Sequence, residues 1–470
     1  MNSIRSITPA SASIAKAVRR IPTPEEADLM ICREVDLLTR ENHQIWSSPN
    51  HDRSQYVHSF FQYPAMMVPI VQKRIIEIIV NAKGDVTNLL DCFMGSGTSL
   101  VAGMQMGLDC YGQDINPLAV LVSKTRTGPF YFKAIEERRQ ALFTQIEQDI
   151  DTTIEANFKG LHKWFTPVIA TELSRIVRAI RAENNQTIRR FYWVILAETI
   201  RLTSNDRTST FKLHARPLTE IAIRTVSAID VFKKHFANSL EDLREHALQL
   251  EETDRLLKGA YIGQVNLNLL SSKEHIATAD DKEGFFDLHV TSPPYGDNKT
   301  TVTYGQFSYL PLQWINLRDI DDRANETFLA TTSQIDSLGL GGVIRQFTPE
   351  ELQILFNASP RLKEIYQQIQ QIDPKRARKV AAFFHDIYQT IQNIHIAMKA
   401  NGYQVWTVGN RTVAGVNIPN NVIMTDFIRS QGSILIKTIN REILNRRMAA
   451  RNSQANLMTF EDILIFRKIG

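Results

Sequence analysis

Cysteine is scarce: three in 470 residues, Cys32, Cys92 and Cys110, with no Cys-x-x-Cys pair among them. That excludes a disulfide framework, supplies no ligand set for a structural zinc, and fits a reducing cytoplasm. No apolar run approaches the roughly 20 residues that span a bilayer, so no membrane role is expected. No Gly-Lys-Ser/Thr follows a glycine turn, which excludes a P-loop. Acid is missing from the first 24 residues, which carry four basic residues and read as a basic arm rather than a transit peptide. The net charge of only +4 is compatible with a polyanionic partner without requiring one. Otherwise the composition, 43% hydrophobic and 22% charged, is that of a globular protein.

A chain of 470 residues exceeds one small core. Residues 65–83, "AMMVPIVQKRIIEIIVNAK", have apolar residues at helical spacing and stop at Gly84. "TNLLDCF", "SLVAGMQM" and "DCYGQDI" then read as strand, helix and strand, joined by a glycine turn. This is a βαβ unit, the building block of doubly wound sheets. From about 125 to 260 amphipathic, charge-rich helical patterns replace strands. Strand patterns resume at "AYIGQVNLNLL" and "FFDLHVTSPPY". A helical region over about 348–400 follows and ends as helix, Gly402, strand; "GSILIKTI" and "DILIFRK" close the chain. The organisation expected is one α/β domain interrupted by a helical insertion.

"DCFMGSGTS", residues 91–99, puts Gly95 and Gly97 between a strand and a helix. Glycine belongs where backbone takes φ > 0 or lets a ligand approach, and the helix start offers N–H donors. The dinucleotide fingerprint needs a third glycine where Leu100 stands, which disfavours a nicotinamide dehydrogenase. Asp114, 17 residues after Gly97, ends the next strand, where a carboxylate accepts from both ribose hydroxyls or merely caps a turn before Pro117. Asp91 either receives a ligand amine or braces the loop. Together these residues favour an adenosine-containing ligand without pyrophosphate.

"VTSPPYGDN", residues 290–298, ends an apolar strand with two prolines. Proline removes a ladder donor and fixes φ, so the chain leaves the sheet in a stiff turn. Tyr295 offers a face on which a base can stack. The Pro293 carbonyl and the Ser292 hydroxyl can accept hydrogen bonds from an exocyclic amine. Such an amine is a poor nucleophile because its lone pair is delocalised, and two acceptors on its hydrogens restore that pair. The alternative reading is a stiff surface loop. It loses ground because the motif follows a glycine turn and an acid in sequence order.

"FMGSGTS" followed by "TSPPYGD" resembles the amino-group DNA methyltransferases of restriction–modification systems, which use S-adenosylmethionine. The Ser-Pro-Pro-aromatic form is similar to their cytosine-N4 branch; the adenine-N6 branch usually carries Asp or Asn in place of Ser292. The resemblance extends to "HSFFQYPAMMVP", residues 58–69, and to the basic "TINREILNRRMAARNS", residues 438–453. It implies a Rossmann-like methyltransferase sheet with a mostly helical insertion. Residues 1–50 would be the N-terminal arm and lead-in, 51–125 and 261–470 the two parts of the methyltransferase domain, and 126–260 the insertion holding target recognition. Phe61 and Pro64 would pack around the cofactor, with Phe93 beside them or in the core. Asp91, Gly95 and Gly97 would cradle its methionine end and Asp114 its ribose, with Thr98 also binding the cofactor. Ser292, Pro293, Pro294 and Tyr295 would form the catalytic ledge, with no metal. Transfer from a sulfonium depends on positioning.

A base inside a duplex cannot reach such a ledge, so base flipping in double-stranded DNA is implied, with a cognate restriction endonuclease acting on the same site. Residues 181–217 hold seven Lys/Arg against three acids, which reads as a solvated face or as DNA contact. The DNA candidates are Arg201, Asn205, Arg207, Lys212 and Arg216, then Arg441, Arg446 and Arg447 in the basic tail segment. "SLGLGG", 337–342, reads as a mobile loop near the DNA or an idle linker. The alternatives are an adenine-N6 enzyme on the same scaffold, an RNA methyltransferase, and a nucleic-acid-binding protein without activity. A 5-methylcytosine enzyme is disfavoured because no cysteine stands in a Pro-Cys context.

Overall fold

Seven strands build one mixed sheet in a computed structural model that describes residues 20–48, 60–208, 211–278, 282–443 and 460–470. They are β1 (Asn88–Asp91), β2 (Asp109–Asp114), β3 (Val265–Leu269), β4 (Phe286–Thr291), β5 (Met398–Gly409), β6 (Ser433–Glu442) and β7 (Phe460–Lys468). Their order across the sheet is β6-β7-β5-β4-β1-β2-β3. Neighbours run parallel except β7, which lies antiparallel between β5 and β6. The chain moves outward from β1 through β2 to β3, then returns to place β4 on the other side of β1. That reversal is a topological switch point, where α/β sheets open a crevice at the carboxyl ends of the strands.

Both faces of the sheet are covered, so the central strands are apolar throughout. Successive side chains alternate faces: Leu89 and Cys110 join one core, Leu90 and Tyr111 the other. The first face carries helices Pro24–Glu41, Pro69–Lys83, Thr98–Gln105 and Pro117–Arg126, and outside them the helices of residues 132–251. This helical stretch shares its core with the sheet: Trp193 and Phe236 belong to the same apolar cluster as Leu121. The second face carries helices between 349 and 397 and Asn420–Ser430. No described helix is long and apolar enough to cross a membrane.

Proline sets several helix starts, since at the first helical position its missing N–H costs nothing. The helical region over 348–400 is therefore three helices, Pro349–Ala358, Pro360–Ile372 and Pro374–Ala397, capped by Thr348, Ser359 and Asp373. Two expectations are corrected. Gly402 does not separate helix from strand: β5 begins at Met398, and Lys399–Gly402 form a bulge in which Asn401 takes φ +60°. "AYIGQVNLNLL" is not one strand, because Ala260–Tyr261 pairs with Leu256–Leu257 in a small hairpin and only Val265–Leu269 enters the sheet.

Candidate active site

The carboxyl ends of β1, β2, β3 and β4 open into one cleft, whose wall sets a few polar groups among apolar side chains as small-molecule sites do. Each strand contributes residues at or just beyond its end: Phe93 to Ser96 and Thr98 after β1, Asp114 to Asn116 at the end of β2, Leu270 to Ser272 after β3, Ser292 and Pro294 after β4. Two motifs about 200 residues apart in the chain are thereby brought to one site.

The glycine turn is shaped by two left-handed residues, Gly95 at φ +48° and Gly97 at φ +81°. A Cβ at Gly97 would lie 3.0 Å from Ser123 Oγ, so the turn has neither the backbone freedom nor the space for a side chain. Gly95 lines the cleft; Gly97 instead starts the helix Thr98–Gln105 behind it. The Thr98 hydroxyl lines the cleft and is buried without a hydrogen-bond partner among the described residues. A buried orphan of this kind is a place for a ligand to bond.

Asp91 is fully buried and is not part of the cleft wall. Its carboxylate accepts from Phe93 N (3.1 Å), Thr291 Oγ1 (2.6 Å) and the Ser99 hydroxyl. It ties the glycine turn to the end of β4, the geometry of a brace. Burial pushes its carboxyl up to about 6, against the pull of these bonds. Asp114 does face the cleft. One oxygen accepts from Gly95 N (3.0 Å) and the other from Asn116 N (2.8 Å). Each carboxylate oxygen has a second lone pair, so two acceptor sites remain for a ligand. Burial raises this carboxyl too, to about 6. Phe93 is a half-buried part of the cleft wall, and Pro64 lines it as expected. Phe61 does not: it is wholly buried, edge-on to Phe307 at 5.9 Å, and the Tyr63 two residues on takes its place in the wall.

At the second motif, Ser292 Oγ lies 3.2 Å from the Thr407 carbonyl oxygen. Its one proton has two acceptors in reach, the Thr407 carbonyl and the Tyr295 oxygen, and whichever takes it, a Ser292 lone pair is left to accept. Pro293 is buried and Pro294 faces the cleft. Tyr295 is not in the wall; it is half-buried next to Pro294, with its hydroxyl 3.3 Å from Ser292 Oγ and donating to Glu461 Oε1 at 2.9 Å. Burial, reinforced by the Glu461 charge, holds the phenol well above its ordinary pKa, so the proton stays on. Glu461 lies opposite Arg441 in the β6–β7 ladder, with Arg441 Nε 3.1 Å from Glu461 Oε2.

Comparison with known proteins identifies the family. The chain is 32% identical over 443 residues to the "Type II methyltransferase M.MvaI" of Kocuria varians, spanning 91% of this chain and 94% of that protein. The chain belongs to the type II methyltransferases. The "Type II methyltransferase M.MjaII" of Methanocaldococcus jannaschii is 23% identical over 217 residues, 32% of this chain and 40% of that protein. No protein-family model matches the chain. The protein is thus a restriction–modification DNA methyltransferase, in agreement with the resemblance carried by its two motifs.

Several residues chosen from the methyltransferase's basic segments are internal. Arg441 is 8% exposed and belongs to the Glu461 pair, so it is no surface contact. Arg201 is paired with Glu198 three residues before it and is largely covered. Asn205 is buried, its amide donating to the Lys163 carbonyl at 3.0 Å. Arg207 and Lys212 are exposed, and Arg216 partly so, with Arg207 and Arg216 both near Glu220. Arg446 and Arg447 lie outside the described residues. The loop bearing Lys212 abuts the cleft: Thr303 Oγ1 donates to the Phe211 carbonyl at 3.0 Å, and Tyr304, next to Thr303, lines the wall. "SLGLGG" is not an idle linker. Leu338 to Leu340 form a cleft wall, tied down through Gly341 N to Asp386 at 3.0 Å. Sequence reasoning missed Asn116, Ser271, Ser272 and Asn298 in that wall. Ser271 and Ser272 were findable as polar residues just beyond a strand that pairs with β2.

Proposed function

We propose that the protein transfers a methyl group from S-adenosylmethionine to the exocyclic N4 of cytosine in duplex DNA, protecting the site from a cognate restriction nuclease. The observation that carries this reading is Ser292, which lines the same cleft as Asp114 and the glycine turn and whose proton has acceptors in Thr407 and Tyr295, so that a lone pair is left for an incoming amine. S-adenosylmethionine suits the rest of that cleft: two acceptor sites on Asp114 for ribose hydroxyls, an unpaired Thr98 hydroxyl, and a side-chain-free Gly95. Bound there, it supplies a methyl group made electrophilic by a sulfonium. The chain's own work is to hold the target amine. Ser292 Oγ and the Pro293 carbonyl accept its hydrogens, drawing the nitrogen toward a pyramidal nucleophile, and the prolines keep both acceptors from drifting. A base must leave the duplex to get there, and the face of Tyr295, next to the cleft-lining Pro294, receives it. Expressed in a host without its own DNA methylation, the protein should add N4-methylcytosine to host DNA, read by mass analysis of nucleosides. N6-methyladenine in its place would refute the base and keep the ledge chemistry.

Arg207 and Lys212, on the loop that abuts the cleft, are the proposed phosphate contacts. Replacing both with Ala should weaken binding to duplex DNA and flatten its salt dependence by about two units of slope, one per lost contact. An unchanged affinity and slope, measured by titration at several salt concentrations, would place the DNA elsewhere.

A further inference from the structure

Asn298 is an amide inside the cleft with bonding capacity left over. The residue is 3% exposed, lines the cleft together with Ser292 and Pro294, and its Oδ1 has no hydrogen-bond partner among the described residues. A buried amide oxygen left unpaired is destabilising, so the position calls for a partner that enters from the cleft. The turn presenting it is braced. The Asp297 carbonyl accepts from Thr300 N (3.0 Å) and Thr301 N (3.1 Å), and the Asp297 carboxylate lies 3.8 Å from Arg411. Space for the amide depends on Gly339 in the opposing wall, where a Cβ would come within 2.7 Å of Asn298 Nδ2.

We propose that Asn298 is a substrate-binding residue that pairs with the N–C–NH₂ edge of the extruded base. The inference rests on the amine-methylation reading of this cleft. An amide carries one donor group and one acceptor side by side, the complement of a ring nitrogen next to an exocyclic amine. Nδ2 donates to the ring nitrogen, N3 in cytosine, and Oδ1 accepts one amine hydrogen. That hydrogen is shared with one of the two ledge acceptors, Ser292 and the Pro293 carbonyl, and the other amine hydrogen goes to the second. The pair fixes the base in its own plane, so that the amine meets the ledge in one orientation.

The test is a cycle between protein and base. Wild type and Asn298→Ala are assayed on a mapped duplex site carrying either cytosine or 3-deazacytosine, in which N3 is replaced by C–H. In the wild type, loss of N3 should lower kcat/KM about tenfold, the value of one hydrogen bond to a neutral acceptor. In Asn298→Ala the same change should cost less than twofold, because the bond is already gone. S-adenosylmethionine affinity should stay within twofold of wild type in a chain that melts normally. Gly339→Ala, which crowds the amide without removing it, should also shrink the penalty for losing N3. An equal penalty in wild type and Asn298→Ala would overturn the inference while leaving cytosine methylation standing. So would a variant that loses cofactor affinity instead, since Asn298 would then serve the cofactor. Absence of cytosine methylation by the wild type would be the failure of the functional reading itself.

Discussion

Asp114→Ala should weaken S-adenosylmethionine binding at least about 100-fold in a chain that still folds. Two hydrogen bonds to an ionised carboxylate are at stake, each worth about 1.5–3 kcal/mol, and Gly95 N also loses its acceptor. The same bonds set a pH dependence. Only the carboxylate accepts from both hydroxyls, and burial raises the Asp114 carboxyl to about 6. Affinity should therefore be flat above about pH 7 and fall toward tenfold per unit below 6. Asp114→Asn should bind more weakly than wild type and show no such fall. The neighbouring Asp91 carboxyl also lies at about 6, and the Asp114→Asn variant separates its effect from that of Asp114. Acid unfolding has to be separated from this effect by melting at each pH, because burial holds His246 and His289 down at about 3 and their protonation in the unfolded chain lowers stability as pH falls below about 6.5. A raised carboxyl binds more protons folded than unfolded, so Asp91 and Asp114 stabilise the fold as pH drops from 6 toward 4. Calorimetry giving wild-type affinity for a folded Asp114→Ala chain would remove Asp114 from the site.

Tyr295→Ala should lower turnover roughly 5- to 150-fold at saturating cofactor, since base–aromatic stacking is worth about 1–3 kcal/mol. The backbone turn survives, because Pro293 and Pro294 set it, and cofactor affinity should barely move. The Glu461 bond offers a second explanation for any loss, because Tyr295 is anchored through its hydroxyl. Tyr295→Phe separates the two: it keeps the face and drops the anchor, and should cost less than fivefold. If Tyr295→Phe is as damaging as Tyr295→Ala in single-turnover assays, the anchor matters and stacking does not.

What could be read in the sequence was what a few adjacent residues decide. Gly95 and Gly97 between a strand and a helix, and two prolines at a strand end, constrain backbone within their own neighbourhoods, and both turns fall where expected. The sheet side of the fold was legible for the same reason, from short apolar runs bounded by breakers. Roles that depend on a distant partner were not. Arg441 sits in a basic run like any DNA-facing arm. Only the pairing of β6 with β7 turns it inward to Glu461. Asp91 could serve a ligand or a loop, and the geometry of a brace shows only with Thr291, 200 residues on, placed 2.6 Å away. Asn205 looked like a base reader among arginines until its amide was found on the Lys163 carbonyl. Asn298 carried no local signature at all, because its meaning lies in an unpaired atom and in Gly339 across the cleft.

The most direct test is transfer of a labelled methyl group from S-adenosylmethionine into duplex DNA by the purified wild-type chain, with folded Ser292→Ala and Tyr295→Ala chains alongside, followed by nucleoside analysis. Label in N4-methylcytosine from wild type, with severe loss in Tyr295→Ala and reduced transfer in Ser292→Ala, is the expected result. Wild-type rates from both variants would contradict it, and would leave Ser-Pro-Pro-Tyr as no more than a stiff turn.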